Sequence, residues 1–70
     1  MTETTGERLR RLRGDRTLAE VASACGIAAS TLAMYEQGNR VPRDHIKVKL
    51  AEYYGRSVAY IFFKTVTHEM

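Results

Sequence analysis

The stretch Thr17–Gln37, TLAEVASACGIAASTLAMYEQ, restricts what this chain can fold into more than any other part of it. Leu18, Val21, Ala22 and Cys25 stand three and four residues apart, the spacing that gathers side chains on one face of a helix. Thr17 precedes them as an N-cap, with Glu20 three residues on in the capping-box arrangement. Gly26 supplies the positive φ with which a chain leaves one helix and starts another at a steep angle. Ile27 fills the corner between the two. In the second segment Leu32 and Tyr35 share a face at i, i+3, and Gly38 ends it in the manner of a C-terminal cap. Ala22 provides the small side chain needed where the two helices cross.

Two short helices joined by a glycine turn of three to four residues describe a helix-turn-helix. Around it, Leu9 and Leu12 give a narrow apolar stripe on an arginine-rich segment that begins near Thr5. Glu7 can pair with Arg11 at i+4 on that segment, and Gly14-Asp15 ends it. Residues 1–4 are polar and read as a flexible terminus. Gly38–Pro42 reads as a loop, with Pro42 suited to a first helical turn and Asp44 placing negative charge at a helix N-terminus. Residues 43–54 carry two patterns. Ile46, Val48 and Leu50 alternate with Lys47 and Lys49 as in a strand, while Ile46, Leu50 and Tyr53 or Tyr54 make a helical face closed by Gly55. Ser57 is a good N-cap for a short last helix lined by Val58, Ile61 and Phe62. Residues 64–70, KTVTHEM, are either a frayed tail or a short arm used in dimerisation.

Seventy residues suffice for one domain with a small core and are too few to enclose a substrate cavity comfortably. Such a chain buries only about 60% of its unfolded surface, so help from a partner subunit is expected. The net charge of +3, from 11 basic and 8 acidic residues, makes distribution more informative than the total. Arg8, Arg10, Arg11, Arg13 and Arg16 form one cationic group, and Arg40, Arg43, Lys47 and Lys49 another. The single cysteine, Cys25, fits a reducing cytosol and a place in the core, and no apolar run approaches the roughly 18 residues of a membrane span. The N-terminus has charge but no apolar stretch behind it, so a soluble, cytoplasmic protein is expected. His45 and His68 have no second ligand at metal spacing, and no paired catalytic groups or phosphate-cradling glycine loop occur. No enzyme, metal, cofactor or small-molecule ligand is expected.

The motif, together with Tyr35-Glu36-Gln37-Gly38, Arg40, Pro42-Arg43-Asp44 and Tyr54-Gly55-Arg56-Ser57-Val58, resembles the Cro/Xre-type, lambda-repressor-like family of bacterial and phage regulators. The resemblance covers residues 6–63. It implies an all-α bundle of five short helices, at 5–13, 18–25, 29–36, 43–54 and 58–63, with residues 5–63 as the DNA-binding domain. For residues 43–54 it favours helix over strand. Val48 then lies off the core face, where it can meet a second subunit.

The resemblance further implies binding of double-stranded DNA by a homodimer, with helix 29–36 in the major groove. Base-edge contacts fall on Ala28, Ala29, Ser30 and Met34, and phosphate contacts on Thr17, Thr31, Gln37, Asn39, Arg40 and Arg43. Arg13 and Glu36 correspond to an ion pair that fixes the recognition helix against the first helix; the plain alternative is two solvated charges. Arg8, Arg10 and Arg11 are either phosphate-facing or a solvated helix face. Two positions depart from the family pattern. Leu18 stands where a phosphate-gripping glutamine is common, and Ala28 replaces a polar N-cap at a cost of about 1 kcal/mol. Bidentate base readers, worth about 1–3 kcal/mol each, are missing from the reading surface. This leaves a second reading open, in which the same scaffold is a protein-interaction module of the antirepressor, antitoxin or accessory kind.

Overall fold

The computed structural model describes residues 3–63. Within them the chain forms α1 (Thr5–Arg13), α2 (Leu18–Cys25), α3 (Ala29–Gln37), α4 (Asp44–Tyr54) and a closing π-helical segment, Ala59–Phe63. There is no strand among the described residues. The first two helices start alike. Thr4 and Thr17 are N-caps whose hydroxyls accept from the amides of Glu7 and Glu20, and each glutamate returns a bond to the cap amide. Residues 3 and 4 are therefore bound to α1 rather than a loose polar end. Glu7 is spent on this cap; Arg11 pairs instead with Glu3, its Nε 2.7 Å from Oε2.

Leu9, Val21, Cys25, Leu32, Leu50 and Ile61 are fully buried, drawing one or two residues from every element. Ala22 is also buried, beside the crossing of α2 and α3. The two readings of residues 43–54 resolve as helix: Leu50 and Ala51 are buried, and Ile46, Tyr53 and Tyr54 pack against the same core. Val48 is 46% exposed. The strand-like alternation fails because Lys47, a polar member of it, has a side chain only 14% exposed, with its ammonium 5.7 and 4.8 Å from the ring centroids of Phe62 and Phe63. Helix α4 starts at Asp44 and not at residue 43, because Arg43 is held extended as the N-cap (φ −71°, ψ 164°).

Two long-range devices set how α1 meets the rest. Gly6 lies directly against the backbone of Glu36 in α3, and a Cβ there would run into the Glu36 carbonyl oxygen. Arg8, only 3% exposed, donates to the carbonyls of Tyr60 and Ile61 at 3.1 and 2.9 Å. Those carbonyls belong to the closing π-helical segment. The closing segment is wound as a π-helix rather than the α-helix expected from its sequence, and this buried guanidinium satisfies it. Arg8 is thus neither phosphate-facing nor solvated. Arg10 and Arg11 are both exposed, but Arg11 is tied to Glu3 and to the Tyr60 hydroxyl. The Arg11 hydrogen bond lowers the Tyr60 hydroxyl pKa, and with Arg8 it holds the Glu3 carboxyl down to about 2.

The short link from α1 to α2 is closed by arginines. Arg16 donates from Nη2 to the Leu12 carbonyl (2.9 Å) and from Nε to the Arg13 carbonyl (3.2 Å). Its guanidinium also stacks over Tyr53 and Tyr54, with ring centroids 5.1 and 5.5 Å away. No single helix among the described residues is long and apolar enough to cross a membrane.

Candidate nucleic-acid interface

Helix α2 ends at Gly26, which is left-handed (φ 73°, ψ 29°). The Gly26 amide bonds the Ser23 carbonyl and the Ile27 amide the Ala22 carbonyl, the crossed pair that stops a helix sharply. With the half-buried Ile27 in the corner, α3 departs at 106° to α2. Helix α3 ends the same way: Gly38 is left-handed (φ 81°), and the Asn39 amide bonds the Met34 carbonyl at 2.9 Å.

One face of α3, carrying Leu32 and Tyr35, is buried. The other presents Ser30, Met34 and Gln37, all exposed and four and seven residues apart on one stripe. Ala33, absent from the sequence-derived set, lies half-buried on that same stripe; its i+3 spacing from Ser30 was the signal for it. Ala28 is exposed. Ala29 packs partly against the core and so offers less surface than expected. Thr31 is half-buried.

The remaining polar candidates fall into two groups. Gln37 and Asn39 are joined, Asn39 Nδ2 donating to Gln37 Oε1 at 3.1 Å, which turns the Gln37 amide nitrogen outward. Arg40 and Arg43 follow in the exposed loop and form no ion pair among the described residues. Thr17 is separate: its bonds run to Glu20, and its hydroxyl, already an acceptor for the Glu20 amide, keeps its hydrogen free to donate. Arg13 and Glu36 meet in a two-pronged contact, Nε to Oε2 at 2.8 Å and Nη2 to Oε1 at 3.0 Å. Their side chains are 14% and 6% exposed. Glu36 raises the Arg13 pKa further. Burial pushes the Tyr54 hydroxyl, near Glu36, up to about 12, so it stays protonated. Burial likewise raises the Cys25 thiol, which lies against the Lys49 carbonyl and is unsuited to nucleophilic chemistry.

Residues 5–60 match the model of a helix-turn-helix domain. The chain belongs to the helix-turn-helix domain family. Its architecture is that of the Cro/Xre type, an all-α bundle in which α2 and α3 form the motif. Among solved structures, the SOS-response transcriptional repressor LexA of Eubacterium rectale is similar: 22% identical, with a TM-score of 0.76 over 94% of this chain and 73% of that one. At that identity the likeness is one of fold. No curated protein matches the chain.

Within this helix-turn-helix the start of α3 is its weakest local feature. Ala28 is extended (φ −76°, ψ 149°) as an N-cap should be, yet makes no side-chain cap bond. Ala28→Ser is expected to raise stability by about 1 kcal/mol by giving the first-turn amides an acceptor. Urea unfolding checks it; an unchanged midpoint would mean those amides already have a partner.

Proposed function

We propose that this chain binds duplex DNA in a sequence-directed way, as a small prokaryotic or phage transcriptional regulator acting as a homodimer in the cytoplasm. The observation that supports this best is the exposed stripe of α3 followed at once by a loop with two arginines that form no ion pair among the described residues. An α-helix fits the major groove, about 12 Å wide, and a helix-turn-helix delivers its second helix there N-terminus first. In this reading residues 5–63 are the binding unit, and Ala28, Ser30, Ala33 and Met34 face base edges, with Ala29 at the margin. Thr17, Thr31, Gln37, Asn39, Arg40 and Arg43 hold phosphates, and the uncapped amides of α3 add to the pull on an anion. Alanine methyls touch thymine methyls, while Ser30 and Met34 discriminate little, so specificity rests on those contacts, backbone fit and DNA shape. A dimer sets two α3 helices about 34 Å apart in successive grooves. Residues 64–70, the proposed dimerisation arm, lie outside the described residues.

The bare reading face also suits the alternative, a module that uses α3 to hold a protein. One experiment separates the two. Selection from random duplexes at roughly 150 mM salt is expected to enrich a symmetric motif with thymines opposite the alanines. Arg40→Gln with Arg43→Gln is then expected to weaken binding and to flatten the log Kd against log salt plot by about 1.8, twice the slope of one phosphate contact. Enrichment of nothing, with binding erased by salt, would favour the protein-binding module. An unchanged slope would remove Arg40 and Arg43 from the interface.

A further inference from the structure

A half-open cleft of about 440 Å³ lies between the start of α1, the α3–α4 loop, α4 and the closing segment. A cavity in so small a chain is not legible from its sequence, because α1, α3, the α3–α4 loop, α4 and the closing segment build it together. Leu9, Tyr35, Val41, Pro42 and Phe62 supply apolar walls, and Arg40 and Lys47 the charge; no aspartate or glutamate lines it among the described residues. The Lys47 side chain is only 14% exposed, and its ammonium sits 4.8 Å from the Phe63 ring centroid. Its carboxylate partner, Asp44, is 3.9 Å away and fully exposed, a geometry in which solvent screens most of the attraction.

We propose that this cleft binds an amphipathic organic anion, an alkyl or aryl carboxylate, and that occupancy lowers affinity for DNA. The size lies within the range of small-molecule sites, roughly 300–1,000 Å³, and apolar walls with a few convergent polar groups are their usual make-up. Among the described lining residues two cations stand without a carboxylate, which selects an anion; the walls select an apolar body. A carboxylate on Lys47 and Arg40 gains two charge-assisted bonds in a partly dry setting. The coupling half of the proposal rests on the proposed function, because Arg40 is also assigned to a phosphate. One guanidinium serving both ligands makes each weaken the other by the same factor.

The test titrates the full chain with octanoate and, in parallel, octanol, first without DNA, following backbone amide NMR signals. Octanoate is expected to move the Gly6, Gly38 and Val41 amides saturably, and octanol to bind about tenfold more weakly for want of the charged bonds. Lys47→Gln is expected to cost octanoate a similar factor. Val41→Glu, at a 75% exposed rim position that leaves the core intact, should also repel it. Equal binding of octanol, or no saturable shift at these amides, would overturn the site. So would contacts from residues 64–70 inside the cleft with no octanoate response, which would make the tail its occupant. With the selected duplex added, octanoate is expected to raise the DNA Kd in the wild type, and about tenfold more of it should be needed for the same rise in Lys47→Gln. Octanoate binding that leaves DNA affinity untouched overturns the coupling. Octanoate binding in a chain that selects no duplex keeps the site and removes the regulatory role with the DNA reading itself.

Discussion

Glu36→Gln is expected to destabilise the domain by about 3 kcal/mol and to lower its melting temperature by roughly 15 °C. The substitution keeps the shape and removes the charge, so Arg13 is left with its guanidinium enclosed and no counter-ion. Burial decides the magnitude. A solvent-exposed pair contributes about 0–1 kcal/mol, whereas stripping one partner from a buried pair costs about 3–5. With side chains 14% and 6% exposed and both guanidinium prongs engaged, this pair behaves as the second kind. The lower end of that range applies because Arg13 keeps one further bond, from Nη1 to the Arg16 carbonyl at 2.8 Å. Arg13→Lys should recover little, since an ammonium cannot fork onto both carboxylate oxygens. The double variant Arg13→Met with Glu36→Leu is expected to regain most of the loss, because no charge then remains to be enclosed. Thermal unfolding of the wild type, Arg13→Met, Glu36→Leu and their double variant forms a double-mutant cycle. Single variants each costing under about 1 kcal/mol, with no coupling, would show a solvated pair instead.

What could be read in the sequence was whatever is decided locally. Helix ends depend on a few neighbouring residues, so the Thr17–Glu20 box and the Gly26 and Gly38 stops were visible, and the helix boundaries agree within a residue. The Thr4–Glu7 box carries the same signature and was missed because Glu7 also stands at i+4 spacing to Arg11; a cap and an ion pair competed for one side chain, and the cap won. The burial of Arg8 had no local sign at all. Besides Glu3, its acceptors are backbone carbonyls 52 and 53 residues away, and a carbonyl leaves no mark in sequence. The stripe on α3 follows from helical spacing alone, which is why Ser30, Met34 and Gln37 emerge together and why Ala33 could have joined them. The Arg40–Lys47 cleft depends on how several separate elements meet. Side-chain spacing along one element carries no information about that.

Gly6→Ala is expected to cost about 2 kcal/mol net, against the local preference of the helix it sits in. In an isolated α1 the change should help, since alanine is better than glycine by about 1 kcal/mol in a helix interior. In the folded domain the new methyl meets the Glu36 carbonyl oxygen, with the Tyr35 carbonyl oxygen 3.0 Å away. Both neighbours are backbone, so no side chain can swing aside, and α1 has to move off α3. Overpacking of this kind costs about 1–3 kcal/mol before the helix gain is subtracted, and a clash with rigid backbone belongs at or above the top of that range. Urea unfolding should show a lower midpoint with an unchanged slope, the mark of lost stability without loss of compactness. A more stable Gly6→Ala protein would mean that the two backbones do not approach as described. The site should register the change as well. Arg13 reaches Glu36 across this same contact, so separating the helices stretches the ion pair that the first prediction removes. Gly6→Ala and Glu36→Gln together should therefore cost less than the sum of the two alone, and strict additivity would show that contact and ion pair act independently.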